Sequence, residues 1–112
     1  MFLRKTNATI KKKGAATVWE YNLPTNDVGV AQATINGRYP EHGTAINTQC
    51  DLIYLALSGH GVVHTPSKDV KISKDDIIHL KKNQPYWVQA DNLSIVLISW
   101  PAWFPEQYKE QS

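Results

Sequence analysis

The groups in this chain that could move a proton are few and scattered. Glu41 and His42 adjoin in the run Tyr39-Pro40-Glu41-His42-Gly43 and form the best acid–base pair on offer. Neighbours on an extended segment point apart, which weakens the pair. Tyr54 and Tyr86 are phenols of ordinary pKa ~10 and could donate protons, with His42 or His64 as partner base. No carboxylate is spaced to orient such a histidine. Cys50 reads as a small buried hydrophobe, and its charged neighbour Asp51 would raise its pKa. His60 sits between Gly59 and Gly61, and His60, His64 and His79 read as surface or rim residues. A metal set drawn from His42, Cys50, His64 and His79 is a further alternative, although the four lack recognisable ligand spacing.

Composition limits what such groups could serve. The chain has 112 residues, 42% hydrophobic and 20% charged, with net charge +2. One domain over 1–112 is expected, with its core over roughly 15–100 and an apolar tail over 100–108. The basic run Lys11-Lys12-Lys13 ends at Gly14 and reads as a solvated turn, so no nucleic-acid partner is expected. The single cysteine excludes an internal disulfide. No apolar stretch approaches the ~18 residues of a membrane span, and no apolar segment follows the charged start. The expectation is a cytoplasmic, reducing setting without membrane contact.

The elements that must position these groups are strands, because no segment sustains a helical apolar period. A first strand is expected within Met1–Ile10, then Thr17–Tyr21, a turn at Pro24–Asp27, and Val28–Ile35 ended by the turn dipeptide Asn36-Gly37. A polar loop should cover Arg38–Asp51. Leu52–Leu57 follows, closed by a tight turn at Gly59-His60-Gly61. Further strands are expected at Val62–Thr65, Val70–Ile72, Ile77–Leu80, Tyr86–Ala90 and Leu93–Trp100. The last is apolar on both faces, which calls for cover on both sides. Many short strands separated by turns predict an all-β sandwich or barrel.

The spacing of these turns resembles that of a small single-domain cupin, a double-stranded β-helix or jelly-roll barrel. Gly37 and Gly59 match the opening and closing glycines of the first cupin motif, and Gly61 completes a Gly-x-Gly turn. Asp75 and Asn83 take two glycines of the second motif. Asn is a natural substitute where a left-handed turn is required. Tyr39-Pro40-Glu41-His42-Gly43, Tyr86-Trp87 and the PAWFPEQYKE tail resemble a subgroup of small bacterial cupins. The usual cupin metal sits on three histidines and a carboxylate. By this resemblance those positions hold Ala45 or Ile46, Asn47 or Thr48, Leu52 and Tyr86. Ala and Leu carry no donor atom, so neither metal nor other cofactor is expected.

The resemblance further implies that Asn47, Leu52, Tyr54, Ala56 and Tyr86 face the barrel interior. Tyr39 and His42, on the loop over its mouth, complete the pocket candidates. The expected occupant is a small organic ligand, partly aromatic or carbonyl-bearing. A phosphate is disfavoured, because no Arg or Lys holds these positions. The alternative is a metal-free sugar isomerase or epimerase, with Tyr86 as acid and His42 or His64 as base. Trp100, Trp103, Phe104 and Tyr108 either plug the barrel or cover an interface. A homodimer is expected, since cupins commonly pair through their sheets.

Overall fold

A computed structural model describes residues 1–112. Its nine strands are β1 Thr9–Lys13, β2 Ala16–Tyr21, β3 Gly29–Tyr39, β4 Thr44–Asn47, β5 Asp51–His64, β6 Asp69–Ser73, β7 Ile77–Leu80, β8 Trp87–Trp100 and β9 Tyr108–Gln111. Short 3-10 turns cover Lys5–Asn7 and Pro105–Gln107. All named strand pairs are antiparallel. The larger sheet runs β1-β2-β3-β8-β5-β6, with β7 also paired to β5, and β4 pairs with β9 separately. The expected jelly-roll barrel is what these residues form.

Two 14-residue strands, β5 and β8, carry the architecture. The sequence reading splits each in two, at Gly59-His60-Gly61 and at Asp91-Asn92. The structure instead runs through both points with register shifts between Ala56 and His60. Such bulges bend and twist a strand without ending it. The first half of β5 therefore pairs with β7, and the second half with β6. Gly59 has φ +73°, and a Cβ there would overlap the Asn92 carbonyl, so only glycine fits the bend. Asn36-Gly37 behaves likewise. It is a bulge inside β3, not a turn.

Other boundaries also move. Met1–Ile10 holds a 3-10 turn and the start of β1 at Thr9, and the Lys11–Lys13 run completes β1. The loop expected over 38–51 contains β4, whose partner β9 comes from the tail. Asp75 and Asn83 do adopt left-handed φ, +73° and +65°, as the resemblance implies.

One apolar cluster lines the barrel. Strand alternation turns Ala31, Ala33 and Ile35 of β3 inward and leaves Gln32 and Thr34 half-exposed. Ala16, Ala45, Ala56 and Ala90 are also buried. Ala16, Ala31 and Ala33 leave space that larger side chains would fill, and all three line the cavity described next. No helix is long and apolar enough to cross a membrane.

Candidate functional site

The cavity measures about 360 Å³ and lies between β2–β3 on one side and the tail on the other. Five of the six expected pocket residues line it: Tyr39, Asn47, Leu52, Tyr54 and Tyr86. Asn47, Leu52, Tyr54 and Tyr86 are buried. His42 does not line it. It is exposed on the loop between β3 and β4. That loop is held by Arg38, whose guanidinium donates to the carbonyls of Pro40 at 3.4 Å and Gly43 at 3.0 Å.

The positions matched to metal ligands do converge. Ala45 bridges Tyr86 through two backbone hydrogen bonds, of 2.8 and 3.0 Å. Ala45 and Asn47 are buried, whereas Ile46 and Thr48 are half-buried, so the inward pair is Ala45 and Asn47. Two alkyl groups, one amide and one phenol do not fit a divalent transition metal. The alternative ligand set does not assemble either. His64 bonds Asp69 at 2.7 Å and stacks on Trp87, and His79 bonds Asp51 at 2.8 Å and stacks on Trp100. Cys50 is buried with Sγ 3.9 Å from the Ala102 carbonyl. No three His, Cys, Asp or Glu side chains come together to hold an ion.

Hydrogen bonds knit the polar groups instead. Asn47 Oδ1 accepts from Trp103 Nε1 at 3.0 Å and from Gln107 Nε2 at 2.8 Å. Gln107 Oε1 in turn accepts from the backbone of Gln49 and Cys50. Tyr54 donates to Tyr86 at 3.4 Å, with the rings edge to face. The Tyr39 and Tyr108 hydroxyls lie 2.7 Å apart. Tyr108 donates onward to Glu110 at 2.8 Å, so Tyr39 is the donor of its pair. Glu110 also pairs with Lys13 of β1.

Burial sets the protonation of this cluster. It pushes the Tyr54, Tyr86, Tyr39 and Tyr108 phenols above their ordinary values. Hydrogen bonds to Tyr54 and Asn47 draw Tyr86 only partly back. All four are neutral phenols at neutral pH. Partial burial pushes the Glu110 carboxyl up, but Lys13 and Tyr108 together hold it below its ordinary value. Burial pushes the Cys50 thiol up, and the Asp51 carboxylate adds to that, which leaves it a poor nucleophile.

The mouth is built from residues the sequence reading left out. Lys11 and Lys13 are two apart on β1 and both line the cavity. They are strand residues rather than a solvated turn, so cations do reach the pocket. Each is matched by an anion: Lys11 meets Glu20 at 2.8 Å, and Lys13 meets Glu110. They also lie over the Trp103 and Tyr108 rings. Trp103, Phe104 and Tyr108 pack against the core, which is the plugging arrangement, while Trp100 stays exposed on the outer face. Period-two spacing in Thr9–Lys13 is the signal that could have found the two lysines.

This barrel, with its cupin topology, defines the class: the chain has the cupin fold. Similar solved structures include Streptomyces PAC13, described as a unique nucleoside dehydratase, at 16% identity and TM-score 0.89 over 99% of this chain and 90% of that one. A tyrosine-to-phenylalanine form of PAC13 is solved with uridine and matches equally well, at 16% and 0.89 over 99% and 89%. KdgF from Halomonas sp. matches at 12% and 0.75 over 92% and 94%. The cupin domain of Schizosaccharomyces pombe Cnp3 matches at 7% and 0.71 over 86% and 70%. No protein-family model matches the chain, and no curated protein sequence does.

Proposed function

We propose that the barrel binds an uncharged, hydroxylated ring compound of nucleoside size, held by neutral phenols and amides rather than by a metal. The observation that carries this is Tyr86. Its hydroxyl accepts from Tyr54 at 3.4 Å, and the residue lines a cavity of about 360 Å³, within the ~300–1,000 Å³ of small-molecule sites. Trp103 and Tyr39 offer aromatic surface for a base or sugar ring. The fold likeness to PAC13, solved with uridine, makes uridine the first ligand to try. Calorimetry should give saturable uridine binding, about tenfold weaker in Tyr86→Phe, the worth of one hydrogen bond. Equal affinity in both proteins would remove Tyr86 from recognition, and no binding by the wild-type chain would reject the nucleoside reading.

A metal-free acid–base enzyme, of the isomerase, epimerase or dehydratase kind, is the second reading. Protonated Tyr86 favours it as a proton donor. No histidine lines the cavity, so the base would be Glu20 or a mouth lysine rather than His42 or His64. Incubating the bound ligand in D2O and following carbon-bound protons by NMR tests this. An unchanged spectrum over days counts against turnover.

The outer sheet face suits a homodimer. Register aligns Val30, Ile98 and Ile53 in one cross-strand row, and Val96, Leu55 and Ile77 in the next. Apolar rows on an uncovered sheet face suit a second copy of the chain. Light scattering should give a dimer mass for wild type and a monomer mass for Ile98→Asp. A monomeric wild type would reject the pairing. One buried thiol suits a reducing, cytoplasmic setting.

A further inference from the structure

Ser99 lies on β8 between Gly29 of β3 and Leu52 of β5. Its side chain turns inward and is 1% exposed. It is the only buried side-chain polar atom in the protein without a hydrogen-bond partner. The other polar groups of the cavity satisfy one another: Asn47 with Trp103 and Gln107, Tyr54 with Tyr86, Tyr39 with Tyr108. A buried hydroxyl with no partner costs free energy, and an alanine there would fold at least as well.

The hydroxyl nevertheless faces usable space. Ser99 lines the same cavity as Tyr54 and Tyr86. Gly29 beside it has no side chain, and a Cβ built there would stand 2.7 Å from Ser99 Oγ. Any larger residue at 29 would press on the hydroxyl. A ligand reaching this end of the cavity would meet one group able both to donate and to accept.

We infer that Ser99 is a specificity-determining position, hydrogen-bonded by a hydroxyl or carbonyl oxygen of the molecule the cavity holds. The inference rests on the cavity being a ligand site, but it does not require that ligand to be a nucleoside. Ser99 and Tyr86 then read two different polar atoms of one compound.

The test pairs stability with affinity in wild type and Ser99→Ala. A serine that serves the ligand leaves the free protein's melting temperature unchanged or raised when it becomes alanine. A lowered melting temperature means the hydroxyl already has a partner and overturns the inference. The ligand arm uses calorimetry with uridine, its 2′-, 3′- and 5′-deoxy analogues, uracil, ribose and simple aromatic alcohols. We expect uridine to bind Ser99→Ala about tenfold more weakly. One deoxy analogue should bind both proteins alike, since its loss is already taken. Equal uridine affinity in the two proteins overturns the Ser99 role and leaves the nucleoside reading standing. Binding of ribose or an aromatic alcohol in place of uridine, weakened in Ser99→Ala, does the reverse. No binding to wild type by any compound overturns both.

Discussion

Replacing Asn47 by leucine tests whether its side-chain amide pins the tail. Leucine keeps asparagine's branching at Cγ but is bulkier, so the acceptor disappears and any packing strain adds to the loss. Trp103 Nε1 and Gln107 Nε2 lose their common partner, at 3.0 and 2.8 Å. Gln107 is fully buried and has no water to turn to. Stranding its amide costs about 1–3 kcal/mol, and the half-buried indole adds about 1 kcal/mol. The sum is about 2–4 kcal/mol, roughly 8–16 °C in melting temperature for a chain of this length. Urea unfolding followed by far-UV circular dichroism gives the free energy. Tryptophan emission from the folded variant reports whether Trp103 has moved towards solvent. A loss under about 1 kcal/mol, with emission unchanged, would refute the reasoning: the tail would then be held by its apolar contacts and by β9 alone.

Two further perturbations probe the frame. Gly59→Ala forces a Cβ into the Asn92 carbonyl at a left-handed φ of +73°, and should cost about 2 kcal/mol or more by thermal unfolding. Gly61→Ala, whose Cβ would meet its nearest atom at 3.0 Å, should cost visibly less; equal losses would deny the bend its special geometry. At Asp51, hydrogen bonds from His79 and the Lys82 backbone hold the carboxyl below its ordinary value of 3.8. The stabilised form is the ionised one, so its contribution is complete above about pH 5 and is lost as pH falls through the folded value. Asp51→Asn should therefore be less stable than wild type near pH 7, with a gap that closes towards about pH 2. A gap independent of pH would show that charge is not involved.

The fold was legible because turn chemistry and strand alternation are readable without any metal-ligand motif. Asp75 and Asn83 still mark left-handed turns, and Leu52, Tyr54 and Ala56 still alternate inward. Long bent strands were not legible. Gly59 and Asn92 carry the same turn signal whether a chain reverses or merely bulges, and only cross-strand partners decide between them. The floor of the site was readable from the motif register, which brought Asn47, Tyr54 and Tyr86 together. Its mouth was not. Lys11 meets Trp103 and Lys13 meets Tyr108 through contacts 92 and 95 residues apart, which no local pattern encodes. His42 was not legible for the opposite reason: its acidic neighbour in sequence, Glu41, says nothing about which way a loop side chain points.

Crystals grown with saturating uridine and measured for anomalous signal address the central proposal, that phenol and amide groups hold a ligand in this barrel without an ion. The account predicts nucleoside density beside Trp103, one of its oxygens ~2.6–3.0 Å from the Tyr86 hydroxyl, and no anomalous peak among Ala45, Asn47, Leu52 and Tyr86. An ion bound among those four side chains, with the nucleoside absent from the cavity, would contradict it.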